Sequence, residues 1–240
     1  MKILVFDDTP MHRKAAELSL ACHDLTVVGT YDEAQKALVP SMDHKKVEQI
    51  LPNLLVKAGL AANFSRYRGK GEVSESDAAK YDAAQEEAYE LATTYPAFDV
   101  VMTDLMVPAS RQAQGPDGSR FVGQEMPLGT TIALLALVAG IKKVAVVTDM
   151  NHHNHPASAM FDCFGKCKNP GINIICTNRV GGVAIDEVSG QLVDQKFLES
   201  DEGGKKYPYP EGHNYGSRKG LVWGKNWGSI LKKLLGEQTS

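Results

Sequence analysis

Asp7 and Asp8 stand side by side after the apolar run Lys2-Ile-Leu-Val-Phe6. Asp104 closes a second such run, Phe98-Asp-Val-Val-Met-Thr103, and Thr148-Asp149 follows a third, Lys143-Val-Ala-Val-Val147. Carboxylates gathered at strand ends make an oxygen-rich site whose members repel one another. A hard divalent cation or raised pKa values must offset that repulsion. Mg2+ suits a few carboxylates together with waters and a phosphate. A carboxylate held beside such a metal can attack phosphorus and become an acyl phosphate, and the Thr148 hydroxyl can donate to a phosphoryl oxygen. Any one of these acids alone reads as a helix cap or a solvated loop. The set, with a hydroxyl beside it, reads as a site.

Such a site needs strands to carry it. The run Lys2 to Phe6 predicts a strand covered on both faces. Thr9 and Pro10 supply a hydroxyl N-cap and a proline at the first helical position, predicting a helix to about Ala21. Leu25 to Thr30 predicts a second strand, and a helix begins at Tyr31 to Leu38. Phe98 to Thr103 is the third strand, Thr130 to Gly140 an apolar helix and Lys143 to Val147 the fourth strand. Pro156 to Gly165 reads as a helix and Gly171 to Cys176 as the fifth strand. Trp227, Ile230, Leu231, Leu234 and Leu235 form one helical stripe, with Asn226 as cap and Gly236 as stop. Strands alternating with helices predict a parallel sheet covered on both faces, with ligands at the carboxyl ends of the strands.

Three stretches lie outside a minimal five-strand sheet. Residues 38–78 hold a helix over Asp43 to Leu60, interrupted at Pro52, and the basic, aromatic segment Phe64-Ser-Arg-Tyr-Arg-Gly-Lys70. Residues 109–128 are polar and glycine-bearing. Residues 181–219 hold a hairpin, Val183 to Val188 and Gln191 to Phe197, about Ser189-Gly190. Without these stretches about 140 residues remain, the size of one small doubly wound domain.

The motif Ile3-Leu-Val-Phe-Asp-Asp8, with Phe98-Asp-Val-Val-Met-Thr-Asp-Leu-Met-Val-Pro108 and Val144-Ala-Val-Val-Thr-Asp149, resembles response-regulator receiver domains. The resemblance covers the sheet core and not the three extra stretches. It implies a flavodoxin-like, receiver-like α/β fold: one domain over 1–240 with a doubly wound five-stranded parallel sheet and three insertions. It implies Mg2+ held by Asp7, Asp8, Asp104 and the backbone carbonyl of Met106. Asp104 would be the phosphoacceptor, Pro108 the loop proline and Thr148 the switch hydroxyl. The implied partners are a histidine kinase or phosphotransfer protein and an output partner of unknown kind. With no output domain recognisable, the expected regulator acts alone, through protein contacts. The chain departs from the family at its fifth strand. Ile172-Asn-Ile-Ile-Cys-Thr-Asn-Arg-Val180 has no lysine at its end, and Ile174 and Ile175 stand where an aromatic switch residue is usual. Arg179, Lys166 and Lys168 are candidates for that cation, and none of them is assigned. A degenerate receiver, working without phosphorylation as an interaction module, is one alternative. A haloacid-dehalogenase-like phosphatase is another, although that class wants an acid two residues after the nucleophile, where Thr9 stands.

Other candidates are weaker. His152, His153 and His155 with Cys163 and Cys167 offer Zn2+ ligands at spacings that match no common finger. Arg66, Arg68 and Lys70 form one basic cluster, and Arg218, Lys219, Lys225, Lys232 and Lys233 another. Both read as solvated faces. Tyr207-Pro-Tyr-Pro210, Trp223 and Trp227 read as packing or partner contacts. No glycine-rich nucleotide loop is present. The 240 residues carry a net charge of −3, which speaks against a nucleic-acid coat protein. Four irregularly spaced cysteines do not form a secreted disulfide framework. The longest apolar stretch, Ile132 to Ile141, is about half a membrane span. With no signal peptide at Met1-Lys2, a cytoplasmic protein is expected.

Overall fold

The structure is a computed structural model, and it describes residues 1–65, 73–110, 118–148, 171–177, 182–186, 188–189, 191–194 and 221–237. The chain divides into two compact units, Val39–Pro96 and the remainder, Met1–Leu38 with Ala97–Ser240.

The larger unit is built on five parallel strands: β1 (Lys2–Phe6), β2 (Asp24–Val28), β5 (Val100–Asp104), β8 (Lys143–Val147) and β9 (Asn173–Thr177). Their order is β2-β1-β5-β8-β9. This is the flavodoxin-like doubly wound α/β fold, as its alternating elements predict. The two central strands explain the continuous apolar runs: Ile3 to Phe6 and Val100 to Met102 are fully buried, with one face of each strand in each core. On one face α1 (Pro10–Ser19) and α6 (Trp227–Leu235) pack against Ile3, Val5, Met102, Ala145 and Val147. On the other, α2 (Tyr31–Leu38) and α5 (Gly129–Val138) cover Leu4, Phe6, Val101, Val144 and Val146.

Local signals account for the helix ends. Thr30 and Glu33 form a capping box at α2: the Glu33 N–H donates to the Thr30 hydroxyl, and the Glu33 carboxylate accepts from the Gly29 and Thr30 N–H groups. Asn226 caps α6 by accepting from the Ser229 N–H, and Gly236 ends it at φ 76°. Thr9 precedes α1 as expected, but its side chain makes no cap bond.

Two small antiparallel sheets also lie among the described residues of the larger unit. β6 (Val107–Pro108) pairs antiparallel with β7 (Glu125–Met126), inside the polar stretch 109–128 and its flank. β10 (Gly182–Asp186) lies between β11 (Leu192–Asp194) and β12 (Leu221–Lys225), all antiparallel. The expected hairpin is therefore present, and a third strand joins it.

In the smaller unit α3 (His44–Lys57) pairs with α4 (Glu75–Ala92), and β3 (Ser41–Met42) pairs with β4 (Thr93–Thr94). Its core holds Val47, Leu54, Leu55, Leu60, Tyr81, Ala84, Ala88 and Ala92. The expected break at Pro52 does not occur, because α3 runs through it. The boundary also differs: the extra stretch continues past residue 78 to include all of α4.

Candidate functional site

Register brings the first acids together. In the β1–β5 ladder Phe6 is opposite Thr103, so the next residues, Asp7 and Asp104, are neighbours at the carboxyl ends. In the β5–β8 ladder Asp104 is opposite Val147, which puts Thr148 one residue further. The strand order reverses direction between β1 and β5, the place where open α/β sheets bind ligands. Asp7, Asp104 and Thr148 are all buried, and Asp8 is half-buried.

One carboxylate oxygen from each of Asp7, Asp8 and Asp104 lies within 4.8 Å of the others, a cluster that can hold a metal ion. Asp7 Oδ1 accepts from the Thr9 N–H at 2.9 Å, and Asp104 Oδ1 accepts from the Leu105 N–H at 2.7 Å. These backbone donors fix both rotamers.

A cation reaches these acids from outside the five-stranded sheet. Lys225 Nζ stands 2.7 Å from Asp7 Oδ2 and 2.8 Å from Asp104 Oδ2. Lys225 is 0% exposed, which corrects its assignment to a solvated basic face. The cause is β12, whose pairing with β10 carries its last residue into the site. The apolar run Leu221-Val-Trp-Gly224 ending in a charge is the pattern that marked the acids, and it was the available signal. Lys232 and Lys233, by contrast, are exposed on α6. Trp227 is a core residue, and its ring lies 5.8 Å from the Lys225 ammonium.

Three carboxylates against one ammonium leave two negative charges uncompensated when all are ionised. Burial, and then the Asp7 charge, push the Asp8 pKa above the usual aspartate value; Glu125 on β7 adds to this, while Lys225 and a backbone hydrogen bond oppose it. A divalent cation would supply the missing charge, and the donors are all hard oxygens.

Two further features hold this geometry. Arg13 on α1 donates from one guanidinium nitrogen to the backbone carbonyls of Asp7 (2.9 Å) and Asp8 (2.6 Å), which ties down the acid pair. At the start of α5, a Cβ on Gly129 would stand 1.8 Å from the Asp104 carbonyl oxygen. Only glycine lets α5 begin so close to the acid's backbone. Met106 is half-buried just past β5, and Pro108 lies in β6. Asp149, the histidines 152, 153 and 155, Cys163, Cys167, Lys166, Lys168 and Arg179 lie outside the described residues. So do Arg66, Arg68, Lys70, Arg218, Lys219 and the segment 207–210.

No protein-family model, no curated protein and no solved structure matches this chain. Among the described residues, no helix is long and apolar enough to cross a membrane.

Proposed function

We propose that the chain is an atypical stand-alone receiver that accepts a phosphoryl group on Asp104 in the presence of Mg2+. The observation that carries this reading is the buried Asp7–Lys225–Asp104 arrangement at the strand-order switch, with Asp8 at its partly open edge. An acyl phosphate forms when an Asp104 oxygen attacks phosphorus and the donor's P–N or P–O bond breaks. The donor would be a histidine kinase, a phosphotransfer protein or a small acyl phosphate.

The residues divide this work. Lys225 holds Asp104 Oδ2 in place and sets a positive charge where phosphoryl oxygens would gather. The Leu105 N–H fixes Oδ1. Thr148, one residue past β8, would donate its hydroxyl to the transferred group. Asp7, Asp8 and the Met106 carbonyl would hold Mg2+, which when bound neutralises charge on the acids and on the phosphoryl oxygens. Lys225 takes the part that the receiver family gives to a lysine after the fifth strand.

Beryllofluoride binding tests the reading, followed by tryptophan fluorescence, since Trp227 stands beside the site. Wild type should bind it only with Mg2+, and Asp104→Asn should not bind it. No binding by wild type would overturn the phospho-acceptor role and leave an interaction module that works without phosphorylation. Turnover of a generic phosphomonoester would point instead to the phosphatase alternative.

A further inference from the structure

Adjacent residues of a strand point their side chains to opposite faces of the sheet. Asp7 and Asp8 are adjacent, yet each places a carboxylate oxygen in one cluster with Asp104. Strand geometry therefore has to break at this pair. It does: β1 closes at Phe6, the Asp7 N–H still donates to the Val28 carbonyl at 3.2 Å, and α1 begins at Pro10. The turn is visible in the backbone carbonyls. Successive carbonyls of a strand point opposite ways. Those of Asp7 and Asp8 converge on one nitrogen, Arg13 Nη1, at 2.9 and 2.6 Å. Arg13 is itself seated. A Cβ on Gly29, just past β2, would stand 2.8 Å from Arg13 Nη1, 2.9 Å from its Cζ and 3.3 Å from its Nε. The guanidinium thus lies on the bare backbone of Gly29, whose N–H is held in turn by the Glu33 carboxylate at 3.1 Å.

We propose that Arg13 is a positioning residue: seated on Gly29, it sets the spacing of the two acids and so the site's preference for Mg2+ over the larger Ca2+. The metal rests on the proposed function, whereas the turn and its tie are independent of it. Mg2+ demands near-ideal octahedral geometry, and Ca2+ accepts flexible arrangements with more oxygens. Two acids with a pinned backbone suit the first ion. The same two acids, freed to shift, suit the second. Charge and position predict opposite outcomes for the loss of Arg13. A positive charge near the site opposes the binding of a cation. If charge were its only influence, removing it would tighten metal binding. As a positioning residue, its removal weakens Mg2+ binding in spite of the charge lost.

Calorimetric titration of the full chain with Mg2+ and, separately, with Ca2+ tests this, with urea unfolding in EDTA as the control for stability. Arg13→Ala should lose Mg2+ affinity on the order of tenfold, the low end for a group that orients a metal ligand. It should lose less for Ca2+, so that the ratio of the two affinities falls. Gly29→Ala keeps the charge and every donor and displaces only the end of a flexible side chain. It should lower the same ratio while unfolding close to wild type, and it decides the matter if Arg13→Ala does not fold. Mg2+ affinity that is unchanged or raised in both variants overturns the proposal, and so does an equal loss for both ions. A wild type that binds neither ion overturns it together with the metal of the proposed function. If the ratio falls as stated but wild type with Mg2+ binds no beryllofluoride, the phospho-acceptor reading fails alone. If beryllofluoride binds and the ratio does not move, the role of Arg13 fails alone.

Discussion

Replacing Lys225 by methionine keeps most of the side-chain volume and removes the charge 2.7 Å from Asp7 and 2.8 Å from Asp104. Both carboxylates stay buried and lose the ammonium between them. Two like charges about 4 Å apart repel by about 4 kcal/mol at an effective dielectric near 20. The variant can relieve this by taking up one proton. That escape sets a ceiling, since protonating an aspartate of ordinary pKa at pH 7 costs about 4 kcal/mol. Each pH unit lowers the ceiling by about 1.4 kcal/mol. Breaking a buried pair by removing one partner costs about 3–5 kcal/mol in general. Lys225→Met should therefore lose about 3–4 kcal/mol at pH 7 and only about 1–2 at pH 5. Urea unfolding at both pH values in EDTA, followed by tryptophan fluorescence, measures it. Adding Mg2+ at pH 7 should restore part of the loss. A loss below about 1 kcal/mol at pH 7, the range of an exposed ion pair, or equal losses at both pH values, would refute the reasoning.

Asp8 has a raised pKa, so its neutral form suits the fold better than its charged form. The stability that this neutral form contributes is present at acid pH and is lost as pH rises through the raised pKa. Without metal, Asp8→Asn should then be more stable than wild type at pH 7, with the gap closing towards acid pH in urea titrations. By the same sign, wild-type Mg2+ affinity measured by calorimetry should strengthen from pH 5 to pH 7.5, because the metal no longer has to displace a proton. Gly224→Ala forces a methyl group against Ala15 and the Met11 carbonyl. It should cost about 1–3 kcal/mol by overpacking, and a Tm within experimental error of wild type would count against the flush contact.

The acids were legible because each follows an uninterrupted apolar strand, and strand order alone then brings Asp7 beside Asp104. Lys225 was not, because its neighbours Lys219, Lys232 and Lys233 dress it as part of a charged surface. Only β12, formed by pairing with a strand some 40 residues earlier, turns it inward. The helix α4 went unread for a different reason. Its buried stripe is Tyr81, Ala84, Ala88 and Ala92, and alanine contrasts too weakly with polar neighbours to show a period. Pro52 misled in the other direction, since packing of Leu54 and Leu55 keeps α3 continuous around it.

Asp7 and the lysine that neutralises it lie 218 positions apart in the chain. During synthesis Asp7 and Asp8 are therefore made before Asp104, and all three before their counter-ion. Until Lys225 is in place, these carboxylates have to be balanced by protons or a borrowed cation. Joining the two ends of so long a loop carries an entropy cost that grows only slowly with its length, so the distance in sequence is no bar to the pairing.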